Sequence, residues 1–231
     1  DMFTKNFTST LNHERLHTFF ASHPKIKKLL KDHIKKLDKK TIEDFKNKEI
    51  IVPFRADMPD IVFKELIKKH GLDPQKDFNL RYVSSPIDAM QMLILRRADH
   101  ALLAEPAISI ALRKTGSFPV KLIAPDLYRS INLQEEWGRL YKIEAKIPQA
   151  GLAIIGDTNG KEELISKVLA EYDKSLAWYK NNKEEASKLV VKTLPMLEEK
   201  GLADSIEYVR FENISAIKSK KDLEFFFDIL M

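Results

Sequence analysis

The sequence predicts an α/β fold, a parallel-rich sheet flanked by helices and followed by a helical C-terminal region. Three observations point there. Between residues 49 and 124, short β-branched runs alternate with stretches of helical periodicity, the pattern of βαβ units rather than of hairpins. Proline or glycine stands at most changes of pattern. From residue 160 onward only helical spacing remains.

Each element has its own signal. Over residues 7–37, Leu11, Phe19, Ile26, Leu29, Leu30, Ile34 and Leu37 mark apolar positions of a helix, and Pro24 breaks the run. Asp38 to Lys48 reads as a polar connector with a short helix. Ile50, Ile51 and Val52 form the first strand, and a helix follows from Pro59 to His70. Gly71 stands where a left-handed helix cap belongs, with Pro74 just beyond it. Leu80, Tyr82 and Val83 give the next strand, and a helix runs from Pro86 to Arg97. Ala101–Ala104 reads as a third strand with a helix from Pro106 to Lys114. Val120–Ala124 reads as a fourth strand and Gly151–Ile155 as a fifth. Helices are expected around Gln134–Tyr141, from Gly160 through Tyr179, over Lys183–Leu197 and over Lys220–Leu230. The expected organisation is an N-terminal helical segment at 1–45, an α/β lobe at 46–148, and a return strand with C-terminal helices at 149–231.

Composition narrows the function. With 44% hydrophobic and 32% charged residues, the chain can bury a core. The absence of cysteine removes disulfides, thiolate metal sites and cysteine nucleophiles. No apolar run of membrane-spanning length occurs, so no stable membrane insertion is expected. Asp1 to Thr10 lacks a basic region followed by an apolar core, so no signal peptide is expected in this chain. The net charge is +5, but the lysines mix with Asp and Glu along helices, which reads as solvated faces and not as a nucleic-acid surface. The seven glycines form no cluster opening a helix, so phosphate-loop and dinucleotide fingerprints are missing.

The informative feature is a junction used three times. Each strand runs into a polar residue and then into a helix with an early proline: Pro53-Phe54-Arg55-Ala56-Asp57-Met58-Pro59, Val83-Ser84-Ser85-Pro86 and Ala104-Glu105-Pro106. Asp57 and Ser85 are good helix caps, and proline in a first turn forfeits no hydrogen bond. Asp60 and Asp88 follow three residues later, where a carboxylate favours the positive helix end. In a parallel sheet all three junctions fall on the carboxyl edge, where open α/β sheets bind ligands. Arg55 is placed for a carboxylate, sulfonate or phosphate. Glu105 is placed to accept from an amine or ring N–H. Phe54, Met58 and Trp137 leave room for a ring. Trp137 either stacks on a ligand or packs a hinge. Gln149 stands just before the fifth strand.

These residues carry a resemblance. The stretch Lys48 to Lys114, through Pro-Phe-Arg-Ala-Asp-Met-Pro-Asp, Ser-Ser-Pro-Ile-Asp-Ala-Met and Ala-Asp-His-Ala-Leu-Leu-Ala-Glu-Pro-Ala, resembles the nitrate/sulfonate/taurine-type substrate-binding proteins of ABC importers, a family that includes thiamine-precursor binders. Leu133-Gln134-Glu135-Glu136-Trp137-Gly138, Ile147-Pro148-Gln149-Ala150-Gly151-Leu152 and the Lys218–Leu230 helix resemble the later segments of the same family, among them its return strand and its C-terminal helix. The resemblance implies a periplasmic-binding-protein-like lobe of the second type, closing with another lobe on a small polar or anionic solute in the periplasm. It implies delivery to an ABC permease in the inner membrane, without catalysis, cofactor or metal. Ligand contacts are expected at Phe54, Arg55, Asp57, Ser84, Ser85, Glu105 and Trp137. Family members place a first lobe, β-α-β-α-β, ahead of the segment that starts here near Lys46. Residues 1–45 show no such pattern, so the first lobe is expected to be incomplete.

Two enzyme readings compete. His13-Glu14-Arg15-Leu16-His17 is a literal H-E-x-x-H, with His23 where a third zinc ligand falls in metzincins. Phe20 occupies the position of the turn glycine, which argues for a surface helix instead. Relatives of the resembled family include pyrimidine synthases, but those carry a cysteine-rich motif that this chain lacks.

Overall fold

Strand β1 (Glu49–Pro53) stands at the centre of the sheet, and its sequence explains why. Ile50, Ile51, Val52 and Pro53 are all buried, as a strand covered on both faces requires. Strand β2 (Asn79–Val83) pairs with it in parallel, from Glu49 opposite Asn79 to Pro53 opposite Val83. On its other side, Ile51 bridges Ala101 in parallel. The Ile51 N–H donates to the His100 carbonyl at 3.0 Å, and the Leu102 N–H donates to the Ile51 carbonyl at 2.8 Å. The order across the sheet is therefore β2, β1, then the Ala101 segment. The computed structural model describes residues 40–124 and 126–230, and residues 42–231 cluster as one unit.

Eight α-helices occur among the described residues. They are α1 (Met58–Lys69), α2 (Pro86–Ile94), α3 (Ala107–Gly116), α4 (Leu133–Tyr141), α5 (Glu162–Asn181), α6 (Lys183–Thr193), α7 (Glu199–Ser205) and α8 (Ala216–Leu230). Helix α1 joins β1 to β2, and α2 joins β2 to the segment on the far side of β1. These crossovers run in opposite directions, so the right-handed rule puts α1 and α2 on opposite faces. Ile50 and Val52 join Val62, Phe63, Leu66 and Ile67 of α1, Trp137 of α4 and Phe226 of α8 in one core. Each such side chain contributes about 1.5–3 kcal/mol of burial. Met90, Ile110 and Ala111 form a smaller core between α2 and α3.

Local chemistry sets the helix ends. Gly71, at φ +74°, closes α1. Its N–H reaches the Lys68 carbonyl, and the Leu72 N–H reaches the Ile67 carbonyl, the paired bonds of a Schellman cap. His70 sits at that end with both ring nitrogens on carboxylates, Nδ1 on Glu43 and Nε2 on Glu136 at 2.5 Å. Arg139 grips the same Glu136 through two bonds of 2.5 and 2.9 Å. The network pins the 3-10 turn Ile42–Phe45, the end of α1 and α4 together.

Three expected strands are not formed. The Ala101–Ala104 segment contributes a single bridge at Ala101. Val120–Ala124 winds instead into a 3-10 turn at Val120–Leu122. The Lys121 N–H bonds to the Ser117 carbonyl and the Ala124 N–H to the Val120 carbonyl. Local bonds thus satisfy a backbone that found no neighbouring strand among the described residues, and Leu122 and Ile123 stay exposed. Gly151–Ile155 pairs with no strand among the described residues, and Leu152, Ile154 and Ile155 are exposed. The described sheet is accordingly two strands and a bridge: a mixed, broadly α/β architecture. Residues 160–230 are mainly helical, as the spacing predicts. The expected helix at 7–37 lies outside the described residues.

Candidate functional site

The parallel sheet brings the first two junctions to one edge, and the bridge at Ala101 sends the third segment in the same direction on the far side of β1. The Phe54 N–H donates to the Val83 carbonyl at 3.0 Å, so the first two junctions leave the sheet side by side. The chain moves from β1 to β2 on one side and then to Ala101 on the other. The end of β1 is therefore a topological switch point, the place where open α/β sheets bind their ligands.

The first junction is strained. Phe54 and Ala56 flank Arg55 in the left-handed region, at φ +54° and +62°, a conformation costing a non-glycine residue about 1–2 kcal/mol. Fixed bonds hold it. Besides the Phe54 bond, the Ala56 N–H donates to Asp60 Oδ2 at 2.8 Å. Asp60 is wholly buried, and also accepts from Lys64 Nζ at 2.7 Å and Tyr82 Oη at 3.1 Å. Asp57 caps α1 through the Met58 N–H at 2.8 Å. Burial alone would lower the pKa of Lys64, but its hydrogen bonds and attraction to Asp60 and Tyr82 outweigh this and raise it. Phe54 and Arg55 project into solvent. The Arg55 guanidinium lies 5.5 Å from the Tyr82 ring centroid, with no carboxylate partner among the described residues.

Ser84 is exposed at the second junction. Ser85 caps α2, its Oγ accepting the Asp88 N–H at 3.1 Å and donating to the Asp88 carboxylate at 2.8 Å. At the third junction Pro106 has no side-chain cap to offer α3, and Glu105 does that work. Its Oε2 accepts the Ser109 N–H at 3.0 Å, and its Oε1 accepts from Arg129 Nη2 at 2.6 Å. Both carboxylate oxygens are engaged, so Glu105 is committed to the protein rather than poised for an amine.

Trp137 does not belong to this edge. It is 1% exposed and packs against the rings of Tyr141 and Phe226 at 4.5 and 5.5 Å. The apolar face of α4 buries it, and no ring face is left for a solute. Gln149 is exposed. His100 packs edge-on to Phe45 at 5.0 Å. Arg129 carried no signal in the sequence, because it lies in an irregular stretch whose neighbours in space come from α3 and residues 206–208.

His13, Glu14, His17 and His23 lie outside the described residues. Among the described residues no group of three or more His, Asp or Glu side chains is placed to hold a metal ion. No described helix is long and apolar enough to cross a membrane. The chain matches no protein-family model and no curated protein.

Proposed function

We propose that this chain is the solute-gripping lobe of a periplasmic solute-binding protein of the nitrate/sulfonate/taurine type, delivering a small polar or anionic molecule to an ABC permease. The observation carrying this reading is that two strand-to-helix junctions leave one carboxyl edge side by side, with the Ala101 segment running parallel beyond β1. Phe54, Arg55 and Ser84 are the solvent-facing groups there, while Asp57 and Ser85 cap the helices behind them. The Arg55 guanidinium, held by a rigid loop and free of any described carboxylate, suits an oxyanion. Glu105 acts one step back, orienting Arg129 and the start of α3. The reading is a binding module, resting on the exposed Arg55 at the sheet edge and not on any catalytic group.

The test begins with native mass spectrometry of gently purified protein, which names any solute carried along. Calorimetric titration of that solute then compares Arg55→Ala with the parent chain. Losing one charged hydrogen bond should weaken binding about tenfold to a hundredfold, with an unchanged melting curve because Arg55 is exposed. Parent-like affinity in Arg55→Ala would sink the site.

A further inference from the structure

A concavity that Arg55 does not line runs along α3. Its volume is about 340 Å³, and its walls include Ser109, Leu112, Arg113, Arg129, Asp204 and Tyr208. The two helices that supply most of its walls pack closely: a Cβ on Gly201 of α7 would come within 2.7 Å of the Ile110 backbone on α3. We infer that this groove binds a small zwitterion, an ω-amino acid with a carboxylate at one end and an ammonium at the other.

The positive end is Arg129. Only its Nη2 is engaged, by Glu105 at 2.6 Å and by Ser109 Oγ at 2.7 Å. Its guanidinium sits 3.6 Å from the Tyr208 ring centroid. Those three contacts fix the group, and Nε and Nη1 have no partner among the described residues. A fixed guanidinium with spare donors is the arrangement that receives a carboxylate. Ser109 is 3% exposed and its hydroxyl hydrogen has no acceptor among the described residues, which adds a donor beside it.

The negative end lies one helical turn along. Arg113 follows Ser109 by four residues on α3, about 6 Å along the axis. There Asp204 faces it from α7 across a loose 3.5 Å ion pair, both side chains nearly half exposed. Glu207 lines the same groove, bonded outward to Lys183. Two guanidinium groups and two carboxylates thus share the lining. Arg129 keeps two donor nitrogens without a partner among the described residues, while Asp204 is held only by the loose pair with Arg113, so the groove offers one end to an anion and the other to a cation. A molecule carrying both charges meets Arg129 at one end and Asp204 at the other, and Leu112 adds apolar surface to the same lining. This site uses none of Phe54, Arg55 or Ser84 and does not rest on the transport reading.

Three probes of one carbon chain test it by calorimetric titration of the whole chain: 4-aminobutyrate, butyrate and butylamine. The zwitterion should bind about tenfold or more tightly than either singly charged probe. Arg129→Ala should abolish that preference, and Asp204→Asn should reduce 4-aminobutyrate to the affinity of butyrate. Arg55→Ala should change neither, which separates this site from the sheet edge. Should Arg129→Ala fail to fold by circular dichroism, Asp204→Asn alone decides, since Asp204 is at the surface. Equal affinity for 4-aminobutyrate and butyrate, no binding of any probe, or unchanged zwitterion affinity in Asp204→Asn would overturn the proposal.

Discussion

At the scale of single residues, the edge depends on Asp60 more than its sequence position implies. Three residues after a cap, an aspartate reads as a surface charge favouring the helix dipole. In the fold it is wholly buried and answers three donors: Ala56 N–H, Lys64 and Tyr82. Two of those donors lie in the same helix turn or the loop before it. The third comes from β2, and no local pattern announces it. Removing Asp60 strands all three at once and releases the left-handed loop that presents Arg55. Asp60→Ala should therefore destabilise by about 3 kcal/mol or more, against about 1 kcal/mol for Asp57→Ala, which loses a single exposed cap. Urea denaturation of both variants checks the ranking. Equal costs would show that Asp60 does not hold the loop.

At the scale of elements, the helices were legible, whereas only the first two of the five expected strands formed. Apolar spacing, caps and prolines are local, so α1, α2, α4 and α8 fall close to where periodicity puts them. A strand exists only through its neighbour, so equally apolar runs met different fates. Ile50–Val52 found two partners, whereas Val120–Ala124 found none among the described residues and coiled locally. Contacts between elements were likewise invisible in the sequence, as the His70–Glu136 pin shows. The Arg139 hydrogen bond holds the Glu136 carboxyl below its usual pKa, burial opposes this, and His70 adds to the lowering. A carboxylate with a depressed folded pKa stabilises the fold above the ordinary carboxylate range, and loses that contribution as pH falls through the folded value. Glu136→Gln should cost about 1–2 kcal/mol at neutral pH. The gap between variant and parent should close in acid. Denaturation midpoints across a pH series would show it, and a gap independent of pH would count against the pin.

At the scale of the whole molecule, the sequence conveyed the broad α/β class but overstated the sheet. Two strands and one bridge replace the expected larger sheet because the later apolar runs have no described strand beside them. The helix caps Asp57 and Ser85 were legible, because their signals are local. Trp137 and Glu105 were misjudged, because their surroundings come from distant segments: Phe226 for the first, Arg129 for the second.

Helix α5 is the longest in the described chain, and it buries no side chain. Its inner end touches the rest of the fold, through the Tyr179 ring 5.3 Å from Phe211 and through Asp173 bonded to Asn213. Its first turns rely on ion pairs such as Glu163 with Lys167, each worth about 0.3–0.5 kcal/mol on an exposed helix. Protection against amide exchange should therefore be graded along one continuous helix. Amides near Leu164–Leu169 should exchange deuterium within a small factor of free-peptide rates, those near Tyr179 should resist more, and those of Leu66 and Ile67 in α1 should exchange only through global opening. Uniformly slow exchange along α5 would mean that something covers its apolar stripe in solution.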